Sequence, residues 1–520
     1  MLPSFIKRIL GRKKQTAAKP GSFPDDDKLS PHLNEKMIKL QPYVDRNRDI
    51  KARPFFAKGD PRRKLTLLYM EGRVNQDILY EQLLKSLMLY SDEDLIQGGS
   101  AEHLIDRLYQ TSISIGQVRK SDSFSDTLQS LFEGYVILLI DRVKDVLIFD
   151  IRGGEHRSPE EPPIERTLRG SREGFVEDII VNIALIRKRL SDPNLVIEKS
   201  TIGRRTKTDI AILYIDDIAD PELLANIKDK IEQIDVDGIA AIGYIEQFIE
   251  DNPRSIFPQL RSTERPDKLV TELLEGKVAI VANGTPWVLI APSQFINFMQ
   301  ASEDYYERII VANFSRLFRF CAFFLAISLP GLYISLLSFH QELVPFQLFI
   351  TLAQARQNVP FPVALEVIIQ EVIIQLVVEM GLRLPTTIGQ TVGVVAGIVL
   401  GQAAISANLA SPGIIIVIVI TTICTFSMPN YSMVLAVRVL RLFMILLTSA
   451  FGLFGFSIGW FLILVHLASL DSFGVPYFAP FAPTRYAEIK DSLIRAPLKT
   501  MNKRPASIPH QDNIRQERIK

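Results

Sequence analysis

The 520-residue sequence holds only two cysteines, two tryptophans and six histidines. Cys321 and Cys424 lie far apart and lack metal-ligand spacing, which argues against a disulfide framework and reads them as small apolar core residues. The scattered histidines argue against a metal cluster. There is no GxxxxGKS/T phosphate loop, no HExxH, no CxxC and no GxSxG, so enzyme is the least favoured class and no cofactor is implied. An excess of one charge is also missing. The formal net charge of +1 gives no global case for nucleic-acid binding. The opening MLPSFIKRILGRKK is basic but has no apolar run of signal-peptide length, so it is expected on the cytosolic side, where it can touch anionic lipid.

What is present is unevenly spread. Long apolar runs concentrate between residues 320 and 470, and the first three hundred residues read as soluble. The expected fold class is therefore an α/β cytosolic region of two related subdomains followed by an all-α polytopic membrane domain. Residues 1–60, rich in charge and proline, read as a mobile tail. A strand–turn–helix unit begins at Leu65 and its plan recurs from Asp209. Leu67-Leu68-Tyr69 aligns with Ile212-Leu213-Tyr214, and Asp77-Ile78-Leu79 with Glu222-Leu223-Leu224. The first subdomain is placed at 61–165 with a charged linker, the second at 166–310. Further strands are expected at 134–140, 146–150, 238–241, 277–281 and 287–290, and a helix at 175–190. The basic turn 203–209 lacks the glycine spacing of a phosphate cradle and reads as an exposed turn.

Membrane spans are expected at about 320–339, 361–380, 386–407, 414–428 and 442–470, within a domain at 318–472 that a basic tail, 473–520, follows. Arg308, Arg316, Arg319, Arg383, Arg438 and Arg441 mark cytosolic ends. Residues 442–470 are too long for one upright crossing and too short for two. Either they form a broken pair with a cytosolic tail, which is favoured, or one tilted crossing with an external tail. The span 361–380 carries Glu366, Gln370, Glu371, Gln375 and Glu379. A carboxylate at the bilayer centre costs about 2.5–3.5 kcal/mol on insertion scales, so these side chains must face protein or water. Glu371, Gln375 and Glu379 follow i, i+4, i+8 and make one stripe, and Glu366 with Gln370 makes another. On the next span Gly389, Gly393, Gly397 and Gly401 occupy one face, a pattern that allows close helix approach. Two readings follow: a hydrated path through an oligomer, or carboxylates and glycines that only hold one monomer together.

The stretches SREGFVEDIIVNIALIRKRLSDPNL at 171–195, IGRRTKTDIAILYIDDIADPEL at 202–223 and GYIEQFIEDNP at 243–253 carry a resemblance. So do SFHQELVP at 338–345, VPFP at 359–362, LRLPTTIGQTV at 382–392 and IVLGQAAISANLASP at 398–412. Together they resemble the GerA family of spore germination proteins, more specifically the A subunit of a nutrient germinant receptor, from about residue 65 to about 483. The resemblance implies a spore inner-membrane protein that works with a B-type integral membrane subunit and a C-type lipoprotein. It also implies a homo-oligomeric, nutrient-gated channel that releases monovalent cations. A transporter, or a non-conducting scaffold with a cytosolic regulatory domain, is the alternative.

Overall fold

The computed structural model describes residues 28–56, 64–89, 118–153, 161–167, 169–384, 393, 397–399 and 401–516. Its N-terminal part is two five-stranded antiparallel sheets. β1 (Ile50–Phe56), β2 (Lys64–Met70), β3 (Val118–Ser121), β4 (Val136–Ile140) and β5 (Val146–Phe149) form the first, in the order β1-β2-β4-β5-β3. β6 (Leu195–Ile202), β7 (Thr208–Ile215), β8 (Arg261–Thr263), β9 (Val278–Ala282) and β10 (Val288–Ala291) form the second, in the order β6-β7-β9-β10-β8. The two orders are the same, and so is the register. Leu67 pairs with Leu138, which pairs with Leu147; Ile212 pairs with Ile280, which pairs with Leu289. Of these, Leu67 and Ile212 are a pair that the ungapped sequence alignment matches.

Both faces of each central strand are buried, which is why β2 reads as a continuous apolar run. Side chains alternate along it. Leu67 and Tyr69 meet the helical segment 78–89, while Leu68 and Met70 meet Leu33–Arg46 and Phe124–Phe132. The second sheet repeats this arrangement. Ile212 and Tyr214 pack on Pro221–Glu232 and Ile242–Ile249; Leu213 and Ile215 pack on Ile179–Arg189 and Pro266–Leu273. Arg187 joins the two units. It is fully buried, donates to Asp49 at 3.0 Å and to Asn47 at 2.7 Å, and lies over the Phe132 ring.

Two expectations change. The reading of residues 1–60 as a tail gives way over the described part, where Leu33–Arg46 is a helix and Ile50–Phe56 an edge strand. Pro54 and the charged neighbours hid that strand, yet an edge strand tolerates proline because one side of its backbone needs no partner. Residues 238–241 form no strand. They pass beside the basic turn, whose Arg205 backbone N–H donates to the Asp237 carbonyl at 2.8 Å.

The C-terminal half is helical and apolar. Ile309–Ser338 and Tyr431–Ser469 are long and apolar enough to cross a membrane by length and composition. Phe346–Ala355, Gly397–Ser406 and Pro412–Phe426 are shorter apolar helices, and Val363–Arg383 carries the carboxylates. The helix at Tyr431 runs unbroken into the span expected from 442, and Asn430 caps it, accepting from the backbone N–H groups of Ser432 and Met433. It then reverses at Gly452, whose φ of 58° and ψ of −137° lie outside the helical region. Beyond this point Gly459 packs on Met444. A straight helix would hold those two residues about 22 Å apart. Residues 442–470 thus belong to a broken pair.

The chain after this hairpin returns to the second sheet. Phe473 joins the core of that sheet, and the Gln511 backbone N–H donates to the Ile218 carbonyl at 2.8 Å. Asp304 ties the halves together. It accepts from Arg316 at 3.0 Å and from Arg319 at 2.8 Å, and its carbonyl accepts from Arg495 at 2.7 Å. Burial alone would raise its pKa; Arg319 and Arg316 outweigh burial and hold the carboxyl below its ordinary range. Arg316 and Arg319, expected as topology signals, are therefore neutralised within the fold.

Removing the Asp304 carboxylate leaves Arg319 without its counterion and Arg316 with Asp491 alone. Asp304→Ala is expected to cost about 3–5 kcal/mol, read as a lowered thermal midpoint of the full chain in detergent. A second outcome concerns Glu275, which burial and then the neighbouring Glu272 push up to about 7, against the opposing pull of Lys277 and Arg515. A carboxyl with a raised folded pKa stabilises fully below its unfolded value near 4.5, and that stability is lost as pH rises through the folded value. Glu275→Gln should accordingly leave the midpoint unchanged at pH 4.5. At pH 8 it should raise stability by up to about 3 kcal/mol.

Candidate functional site

The site is the helix Val363–Arg383 and what surrounds it. Apolar residues dominate it, so each polar side chain needs either a partner or an exit. Glu366 has both oxygens occupied and no exposed surface. Oε2 meets Arg356 Nε at 3.2 Å, and Oε1 accepts the Ser411 backbone N–H at 2.5 Å. Ser411 is the N-cap of Pro412–Phe426, so the Glu366 carboxylate satisfies an otherwise orphaned helix-end donor. Arg356 also donates to the Phe361 carbonyl at 3.3 Å, which fastens the loop ahead of the helix.

One turn further on, Gln370 is buried and its Nε2 has no partner. Glu371 is held on one side only. Its Oε2 meets Arg441 Nη2 at 3.2 Å, while Oε1 is buried without a hydrogen-bond partner. Arg441 in turn donates to Thr425 Oγ1 at 3.2 Å. Gln375 and Glu379 face outward, and Glu379 pairs with Arg383 at 2.7 Å on the same helix. The two stripes read from spacing thus separate: Glu366 and Gln370 point into the helical core, and Glu371, Gln375 and Glu379 run from its edge to its outside.

The glycine row behaves differently from the glycines of the hairpin. Among the described residues, a Cβ at Gly393, Gly397 or Gly401 would meet nothing within 4 Å. Gly389 lies outside the described residues. The protomer does not bring the described row against the carboxylate stripe. Spacing alone missed the counterions Arg356 and Arg441 and the capped Ser411. The first two were visible as arginines in apolar surroundings, but sequence distance hid the pairing. Among the described residues, no three His, Cys, Asp or Glu side chains gather as metal ligands.

A duplicated antiparallel α/β region followed by an apolar helical half, with carboxylates paired inside it, defines the class: an α/β body joined to membrane-type helices. The family follows from comparison. Residues 38–507 match the profile described as Bacillus/Clostridium GerA spore germination protein, and the chain belongs to that family. It is similar to spore germination protein KA of Bacillus subtilis (strain 168), with 36% identity over 94% of this chain and 89% of that protein. The uncharacterized membrane protein YfkQ of the same organism is 38% identical over 93% of this chain and 92% of its own length. A crystal structure of the N-terminal domain of the A subunit of the Bacillus megaterium spore germinant receptor GerK3 is 30% identical. It covers 52% of this chain and 99% of that one, with a TM-score of 0.41.

The enclosed and exposed carboxylates should separate in a stability assay. Glu366→Ala leaves the half-buried Arg356 without its counterion and the buried Ser411 N–H unmet, so a loss of about 3 kcal/mol is expected. Glu379→Gln removes only an exposed pair on one helix, worth about 0.2–0.5 kcal/mol. Thermal unfolding of the two variants in the same detergent checks the contrast.

Proposed function

We propose that this chain is an A-type subunit of a spore nutrient germinant receptor. It crosses the spore inner membrane several times with its α/β region in the cytosol. Family membership and relatives named as spore germination proteins support this reading. In it the chain assembles with further copies of itself, with a B-type integral membrane subunit and with a C-type lipoprotein, all in lipid. The oligomer encloses a path for monovalent cations, lined by Glu371, Gln375 and Glu379, and opens when nutrient binds.

One observation carries the path. Gln375 is exposed on an apolar helix, and the described glycines meet nothing in the protomer. Polar side chains are costly in lipid, and glycine rows are used where backbones approach closely. Both features are accounted for if neighbouring subunits pack on the glycine face and water fills the space beside Gln375. Glu366 stands apart from this lining, because its oxygens are taken by Arg356 and Ser411. It serves the path by fixing the helix that presents the other three.

Planar-bilayer recordings of the receptor purified with its partner subunits test the proposal. Gly397→Leu should leave the protomer folded, since a side chain there meets nothing, and should abolish both assembly and current. Glu379→Gln should leave assembly intact and lower cation selectivity. Silent bilayers from correctly assembled wild-type receptor with nutrient present would point instead to a scaffold.

A further inference from the structure

The tail that follows the hairpin does not lie flat on the second sheet. Between them is a cavity of about 610 Å³, within the range typical of small-molecule sites. Its walls come from three parts of the chain. Glu275, Gln294 and Asn297 belong to the second sheet unit, Tyr305 to the segment before Ile309–Ser338, and Ser507 and Arg515 to the tail.

Two polar groups on these walls are buried and unsatisfied. Gln294 is 3% exposed, and its Nε2 has no partner. Its side-chain oxygen is already used, accepting the Asn297 backbone N–H, so the free end is the donor. Ser507 is 5% exposed, and its Oγ has no partner either. A buried donor left unmet costs about 1–3 kcal/mol, and acceptors on an entering molecule would offset that cost at both residues. Arg515 adds a guanidinium, held only loosely by Glu275 at 3.6 Å.

The acidic groups on the wall do not oppose an anion. Asp491 is engaged by Arg316 at 3.1 Å and by Tyr305 at 2.9 Å, and Glu488 faces Arg485 at 3.7 Å. Glu275 is held toward its neutral form by burial beside Glu272, with Lys277, Arg515 and Asp491 as its other charged neighbours. The rest of the wall includes Ile296, Pro480, Met501 and Ile508, which are apolar. We infer that this cavity binds a small organic acid, its anionic oxygens on Gln294, Ser507 and Arg515 and its body against the apolar wall. The site is separate from the path proposed above and does not depend on it. A ligand there touches the second sheet unit and the tail at once, so it fastens one to the other.

The test uses full-length protein in nanodiscs of neutral phosphatidylcholine, with benzoate as the probe and benzyl alcohol as its uncharged counterpart. Saturable benzoate binding by calorimetry, a rise in thermal midpoint and slower tryptic cleavage after Lys503 are expected, with no binding of benzyl alcohol. Gln294→Leu and Ser507→Ala should each weaken benzoate about tenfold, the cost of one lost hydrogen bond to a charged group. Met501→Trp, which fills the cavity from the tail, should abolish binding while the protein stays folded, so failure to fold cannot mimic the result. Benzyl alcohol binding as tightly as benzoate overturns the proposal, as does benzoate binding unchanged in all three variants or none at all. Loss of benzoate binding when the nanodiscs contain phosphatidylglycerol would also overturn it, assigning the cavity to a lipid headgroup.

Discussion

Charge neutralisation inside apolar surroundings is the constraint on which the C-terminal half depends. A carboxylate or guanidinium removed from water must find its counterion within a few ångströms, and each pairing fixes which helices are neighbours. Glu366 with Arg356 sets the loop before Val363–Arg383 against the start of Pro412–Phe426. Glu371 with Arg441 sets the same helix against Tyr431–Ser469. Asp304 with Arg316 and Arg319 sets the base of Ile309–Ser338 on the second sheet unit. Apolar packing alone would leave these helices free to slide, since one aliphatic surface is much like another. The ion pairs specify position, and the apolar contacts around them supply the bulk of the attraction.

The same logic operates at the junction of the two sheets. Arg187 and Asp49 are the paired charges there, and around them the backbone of Asn47 bridges to Ile197 in β6. A duplicated fold has no intrinsic reason to hold its copies at one angle. A buried bidentate arginine gives one, because its planar fork accepts partners only along fixed directions. A separate cluster, Asp304 and Asp491 with Arg316 and Arg319, fastens the first long helix to the segment before it and to the tail.

Much of this was legible in the sequence. The ungapped match of Leu67-Leu68-Tyr69 to Ile212-Leu213-Tyr214 pointed to two related subdomains, because a strand buried on both faces must keep its apolar run; the common strand order and register came only with the structure. β1 was hidden for the opposite reason: an edge strand with Pro54 and Arg53 has little apolar signal to read. The carboxylate positions were visible from their cost, but their roles were not. Spacing places Glu366 and Glu371 on different stripes; only packing shows that the first is closed on both oxygens and the second on one. Likewise Arg316 and Arg319 read as a topology signal until their shared counterion, Asp304, in the short helix ahead of theirs, is seen.

The glycines divide the apolar half into what one chain completes and what it leaves open. Gly452 turns the chain back at a positive φ, with a Cβ position only 2.9 Å from Phe339, and Gly459 lets the returning arm lie on Met444. These glycines are spent within the protomer, and any larger side chain would push its arms apart. Among the described residues, nothing lies within 4 Å of a Cβ built at Gly393, Gly397 or Gly401. A helix carries a cost of roughly 1 kcal/mol for each glycine in place of alanine. The hairpin glycines offset that cost by the close approach they permit, whereas no described neighbour does so along this row. A second subunit packed on the row, as proposed above, would supply the offset, and the row lies in the same apolar half as the outward-facing Gln375.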